Sequence, residues 1–517
     1  MKPIVLITLT VIAAAATAVP RAQENVGKTH VLVDEIIAKR AANAGATVPV
    51  NSPDPNPRLV IENFFTTKVD HFNPQNAEEW TLRYFSMPDF YRPGGPILIF
   101  LGGWTAIVPW MIDSSSLIYE IAEELHGAVY AFESRFYGES KITENMSTDN
   151  LRLLSTDQIL ADLAEFVTYL KRTVLKNEFA HVLVAGAEYG GGLATWFRVR
   201  YPHLADAAWA SSGYQNAIMD FQEFSESWGD SLIEFGSQEC YNEIFVAFHV
   251  MQNLIDVGLA NVLFEKFNIC TEIVVDDRIQ VMYFFYMLMT SVEIYTLQNR
   301  NISDFAEVCD DLTAKDAETA VDAFAKWFNT KFVADLGCVV VDLDEVVEHY
   351  SQIDWESDFY REGVRQQLYQ KCTEFGWFIT TDSDFQPFGN RVMIELHSEI
   401  CQRVFGDWQS FETMYYGITR ANNRFGADSP ATTQIHLTNG AADPWRRASI
   451  THDLNPYALA DVIPRELSSS DIRAISDTDS EELLEVKRRI KSLVASYLFP
   501  VNPRTVENVE NQSAEEK

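Results

Sequence analysis

Residues 181–203 read HVLVAGAEYGGGLATWFRVRYPH, and this stretch decides the fold. Val182 to Ala185 is an apolar run of the length of a short strand buried on both faces. Gly186-Ala187-Glu188-Tyr189-Gly190 follows as a sharp turn. Its glycines remove side chains where the chain doubles back on itself. Residues 191–201 then have helical character.

Strand, G-x-z-x-G turn and helix in that order is the layout of the nucleophile elbow of α/β-hydrolases. The central residue of such a turn is the nucleophile, most often a serine, held in a strained conformation at the top of a sheet. Here the central residue is Glu188. An active-site scaffold is present with an unusual group at its centre.

Moving outward, the flanks alternate as that fold requires. Strands are expected at residues 80–85, 96–101, 128–132 and 207–211, and a helix at 157–174 behind the cap candidates Ser155 and Thr156. The first buried strand runs into Gly102-Gly103. Strands alternating with helices imply a mostly parallel sheet covered on both faces. The pattern breaks after Ser212. Residues 214–428 hold long helical stretches, 318–328 among them, and all six cysteines: Cys240, Cys270, Cys309, Cys338, Cys372 and Cys401. Strand character resumes at 433–438 and 461–464, and an amphipathic helix at 481–497 closes the domain. The fold class is therefore α/β, with parts at 59–213 and 429–500 split by a helical insertion.

The ends have a different character. Residues 1–18 carry Lys2, an apolar run and a small-residue site at Ala16-Thr17-Ala18, the pattern of a secretory signal peptide. Residues 19–58 read as a flexible mature N-terminus and 501–517 as a disordered tail. Secretion agrees with the glycosylation sequons at Asn145, Asn301 and Asn511. It also agrees with an even cysteine count, which suggests three disulfides. The cysteine spacings do not suit a metal, and no cofactor is expected. A net charge of −34 argues against nucleic acid and against anionic membrane surfaces as partners.

Several motifs then coincide with one family. They are Val69-Asp70-His71-Phe72-Asn73-Pro74, Arg83-Tyr84-Phe85, Glu133 through Ser140, Leu160-Ala161-Asp162, Tyr189-Gly190-Gly191 with Leu193-Ala194, and Tyr201-Pro202-His203. Cys372-Thr373-Glu374-Phe375-Gly376-Trp377 and Asn439-Gly440 with Asp443-Pro444-Trp445 complete the set. In order and extent the chain resembles the prolyl carboxypeptidase and dipeptidyl peptidase II family of lysosomal and secreted serine exopeptidases. The resemblance implies an α/β-hydrolase fold with a disulfide-linked helical cap, and cleavage beside proline. It also implies the pairings Cys240–Cys309, Cys270–Cys338 and Cys372–Cys401.

Carried over residue by residue, the resemblance leaves the catalytic set incomplete. Asp443 matches the triad aspartate. Glu188 stands at the serine position. In the loop Ser468-Ser469-Ser470-Asp471-Ile472-Arg473, the last three residues match the family, which puts Ser468 where the histidine belongs. His436 reads as structural and His452 lies on the chain leaving the aspartate turn. Trp104 and Ser134 replace a family glutamate and histidine. Backbone donors for an oxyanion hole are still expected at Tyr189 and near Gly103.

A serine hydrolase needs serine to attack and histidine to move the proton. With both replaced, the expected protein is a secreted, extracellular (alternatively lysosomal) pseudoprotease that binds a peptide or protein ligand. A homodimer stays open. An active hydrolase with rearranged catalytic groups is the alternative, and a purely structural secreted protein the third reading.

Overall fold

The computed structural model describes residues 30–32, 59–298, 301–334, 337–357 and 363–500. An eight-stranded sheet forms its centre: β1 (Ile61–Lys68), β2 (Glu79–Met87), β3 (Ile97–Leu101), β4 (Ala128–Phe132), β5 (Val182–Ala187), β6 (Ala207–Ser211), β7 (Ile435–Gly440) and β8 (Ala458–Ile463). Their spatial order is β8-β7-β6-β5-β3-β4-β2-β1. The pairs from β8 through to β4 are parallel, whereas β2 lies antiparallel to β4 and to β1. The crossover between β3 and β5, with β4 on the far side of β3, puts the elbow strand near the middle of the sheet. This is the α/β-hydrolase fold.

Alternation along each strand divides the core in two. Ile97, Ile99 and Leu101 face one layer with Ile159, Leu163 and Phe166 of the helix Thr156–Tyr169 and with Leu193 and Phe197 of the elbow helix Tyr189–Arg200. Leu98 and Phe100 face the other, under Leu117 and Ile121 of the helix Leu117–Leu125 and Ile490 and Val494 of the closing helix Glu481–Leu498. Continuous apolar runs were the signal for these strands because helices cover both faces.

Between β6 and β7 the chain builds a mainly helical region. A short parallel pair, Ile218–Asp220 with Gly376–Phe378, ties its start to its later part. Cys240–Cys309 links the helix Gln238–Asp256 to Ser303–Leu312, and Cys372–Cys401 anchors the helix Ile394–Phe405.

Three expectations need correction or bounding. Cys270 and Cys338 are neighbouring thiols, not a disulfide, and Cys270 Sγ donates to the Val339 carbonyl at 3.3 Å. Desolvation and the adjacent Cys338 thiol push Cys270 up to about 12. Within the segment read as a flexible N-terminus, His30–Leu32 is a strand paired in parallel with Cys338–Val340, because backbone pairing needs no strong side-chain pattern. The signal peptide, the tail and Asn511 lie outside the described residues. Of the other sequons, Asn301 is exposed, while half-buried Asn145 accepts hydrogen bonds from the Ser147 and Asn150 nitrogens.

Candidate functional site

The strand β5 ends at Ala187, and Glu188 begins the elbow helix with φ 55° and ψ −123°. Side-chain-bearing residues rarely occupy such a conformation, which typically costs about 1–3 kcal/mol. The fold holds it there. The Glu188 N–H donates to the Ser211 carbonyl of β6 at 2.9 Å, and the Glu188 carbonyl accepts from Gly192 N–H at 3.0 Å. A Cβ at Gly186 would lie 2.3 Å from the Gly190 oxygen, and one at Gly190 would lie 2.5 Å from the Leu101 oxygen. Only glycine lets the strand, the turn and the end of β3 approach this closely.

The Glu188 carboxylate is half-buried and accepts a hydrogen bond from Ser468 Oγ at 3.1 Å. Ser468 is also 3.2 Å from Ser469 Oγ, and the Ser469 N–H donates to Ser212 Oγ at 2.9 Å. Ser212 and Ser469 have φ of 45° and 57°, so three strained non-glycine residues meet at this point. Asp471 fastens the loop from below. Its buried carboxylate accepts from Trp209 Nε1 at 3.2 Å and from the hydroxyls of Ser211 and Thr438. That anchoring role came from a residue the sequence marked only as a family match.

Asp443, almost fully buried, starts the turn after β7. Its Oδ1 accepts from Trp445 N–H at 3.0 Å, which shapes the 3-10 turn Pro444–Ala448. Gly103 has φ +76°, and a Cβ there would lie 3.0 Å from Gly190 N, so the loop after β3 reaches the start of the elbow helix. That juxtaposes the two backbone segments expected to carry oxyanion donors, Gly103 and Tyr189. His436 is committed elsewhere, with Nε2 2.8 Å from Asp461. His452 is exposed.

Sequence reasoning missed the aromatic wall beside the elbow. Trp104 stacks on Tyr189 at 4.9 Å and meets the edge of Trp377 at 5.5 Å, while Tyr214 stacks on Trp445 at 4.7 Å. Gln370 binds this wall together. Its Oε1 accepts from Trp104 Nε1 and Tyr137 Oη at 3.1 and 2.8 Å, and its Nε2 donates to Tyr189 Oη at 2.7 Å. Glu374, one helical turn further on, accepts from the Thr156 backbone N–H at 3.1 Å. Burial raises its carboxyl to about 7, against the lowering effect of the Thr156 N–H.

Residues 67–490 match the family model described as serine carboxypeptidase S28. The chain belongs to the S28 serine carboxypeptidase family. It is 28% identical to a putative serine protease of Caenorhabditis elegans, over 91% of this chain and 89% of that protein. The thymus-specific serine protease of Mus musculus is 27% identical, over 83% and 86%. The lysosomal Pro-X carboxypeptidase of Bos taurus is also 27% identical, over 80% and 83%. Among solved structures, the proline iminopeptidase of Mycobacterium smegmatis covers 84% of this chain at 12% identity, with a TM-score of 0.34. The fold assignment rests on the sheet order and the elbow.

S28 is a family of serine exopeptidases, and this member has the family's scaffold with a carboxylate at its elbow. A hydroxyl donating to a carboxylate, as Ser468 does to Glu188, has no group of intermediate pKa to carry a proton. Among the described residues no cluster of three or more histidine, cysteine, aspartate or glutamate side chains could hold a metal ion. No described helix is long and apolar enough to cross a membrane.

Proposed function

We propose that this S28 chain is a pseudopeptidase: it retains the family's site as a place to bind a peptide or protein and does not hydrolyse it. In this reading Glu188, Ser468 and Asp443 stand at the positions of the serine, histidine and aspartate. One observation carries it. Glu188 sits in the strained elbow conformation and its carboxylate is bonded to Ser468, 280 residues away. The residue pair that should exchange a proton is joined by a hydrogen bond that cannot do so. A carboxylate nucleophile would still need a histidine to activate water against the ester intermediate. His436 is bound to Asp461.

The ligand is a peptide that presents its amino terminus. Glu188 supplies a half-buried carboxylate, and half-buried Trp104 stacks on the neighbouring Tyr189; an ammonium group is favoured by a carboxylate and by an aromatic face alike. The protein acts outside the cell or in the lysosome, which the signal-like residues 1–18 and the sequons support.

Two measurements test the proposal. The purified protein should not label with a fluorophosphonate probe, and Glu188→Ser combined with Ser468→His should restore labelling. Labelling of the unaltered chain, or a silent double variant that is fully folded, overturns the assignment of positions. For the ligand, acetylating a bound peptide's amino terminus should weaken it more than amidating its carboxyl terminus, read by calorimetry. The reverse order refutes the amine preference.

A further inference from the structure

Two cavities open along the helix Phe411–Phe425, neither of them lined by Glu188 or Ser468. One, of about 510 Å³, is walled by Arg152, Trp408, Tyr416 and Arg420, with Glu374 among its lining residues. The other, of about 550 Å³, is walled by Arg200, Tyr416, Arg420 and Arg424. Tyr416 and Arg420 line both, so the cavities adjoin and form a groove. Tyr416, Arg420 and Arg424 recur every four residues along one helix and share a face.

The charge of this groove is opposite to that of the molecule. Its walls carry four arginines and one acid in a chain of net charge −34. The acid is Glu374, whose burial keeps it from being a full negative charge around neutral pH. Arg152 is paired with Asp149 at 3.2 Å and Arg424 with Asp157. Arg200 and Arg420 are exposed, and Arg420 lies close enough to Glu374 to oppose the rise of its carboxyl. Beside them Tyr416 and Trp408 remain 68% and 45% exposed, large for aromatic side chains at a cavity wall.

We infer that this groove is a second binding site, which takes an acidic peptide segment. Carboxylates of the segment bind the exposed guanidiniums of Arg200 and Arg420, which offer forked donors suited to carboxylate. Its carbon skeleton lies on Tyr416 and Trp408. A small inorganic anion would use the arginines but not the aromatics, nor the length of two adjoining cavities; a peptide uses all three. On a strongly acidic protein, an isolated basic groove also concentrates acidic ligands locally. The site is independent of the reading given for Glu188.

The test is fluorescence anisotropy with the full-length, disulfide-intact protein. The probe is a labelled hexapeptide with three glutamates, capped at both ends, and its counterpart has glutamine at those places. The glutamate peptide should bind, weaken as salt rises, and exceed the glutamine peptide by at least about tenfold. Arg200→Ala and Arg420→Ala should each weaken it about tenfold, and Tyr416→Ala by less. All three residues are exposed, so unchanged melting temperatures should confirm folding. Glu188→Ala should leave binding unchanged. Equal affinity for the two peptides overturns the proposal, as does full affinity in the Arg200→Ala, Arg420→Ala double variant. Displacement by inorganic phosphate as effective as by unlabelled peptide overturns it too, since the aromatics would then contribute nothing. Loss of binding on Glu188→Ala would place the capped acidic peptide at the elbow, refuting the groove and also the amine preference proposed for the elbow.

Discussion

Two regions near the sheet treat a carboxylate in opposite ways. Below the early strands, Arg135 and Asp162 are both fully buried and doubly joined, Nε to Oδ2 at 2.7 Å and Nη2 to Oδ1 at 2.8 Å. Arg135 Nη1 also reaches the carbonyls of Val69 and Leu153 at 3.0 Å, and His71 Nε2 lies 2.7 Å from Asp162. Nearby, Arg83 and Ser140 bond the buried Glu133. At the elbow, by contrast, a carboxylate in a strained backbone meets a neutral serine. The first region locks loops of the fold through paired charges. The second keeps the elbow geometry of the family with a carboxylate and a serine facing each other. In the pseudopeptidase reading proposed above, the family's framework and its chemistry are separable, and this chain keeps the framework.

The largest expected effect breaks the paired region. Arg135→Ala leaves Asp162 buried with one fewer partner and should lose about 3–5 kcal/mol, read by chemical denaturation. A loss below about 1 kcal/mol would mean that the loops are held by packing and that the charge network is incidental.

A pH experiment sharpens the contrast at an intermediate scale. Glu374 is raised in the folded state to about 7, so the folded protein holds a proton that the unfolded chain releases near its ordinary carboxyl value. Stability from this group is therefore fully present below that value and is lost as pH rises through about 7. The unaltered protein should lose up to about 3 kcal/mol relative to Glu374→Gln across that window. Parallel stability curves for the two proteins from pH 4 to pH 8 would remove the effect.

The smallest effect has the opposite sign. Glu188→Gly relieves a positive φ, gives up the hydrogen bond to Ser468, and should raise stability by about 1 kcal/mol. A lower melting temperature would show that the carboxylate, and not the turn, holds this conformation.

Much of the fold was legible because its signals are local. The buried strand expected at 128–132 is β4 itself, and the closing helix expected at 481–497 is Glu481–Leu498, capped by Ser480. The last strand was harder: expected at 461–464, it is Ala458–Ile463, since its register comes from pairing with β7 and not from its own sequence. The helix expected at 318–328 is Ala320–Trp327, followed by a π-helical turn. The resemblance leads one to expect Cys270 and Cys338 together, and the structure has them as neighbouring thiols.

By itself the sequence determined the elbow, because glycines at 186 and 190 and an apolar run before them act within a few residues of one another. It also determined that Glu188 occupies the apex and that Ser468 falls in the late loop. Only the tertiary structure decided what those residues meet. Ser468 reaches Glu188 across 280 residues, and Gln370 joins Tyr189 to Trp104 and Tyr137 from the inserted region. Glu374 finds Thr156 across 218 residues. Hydrogen bonds of that range depend on the order of strands in the sheet and on how the inserted region seats over it. Local propensity does not encode either, so the residues were visible in the sequence and their partnerships were made by packing.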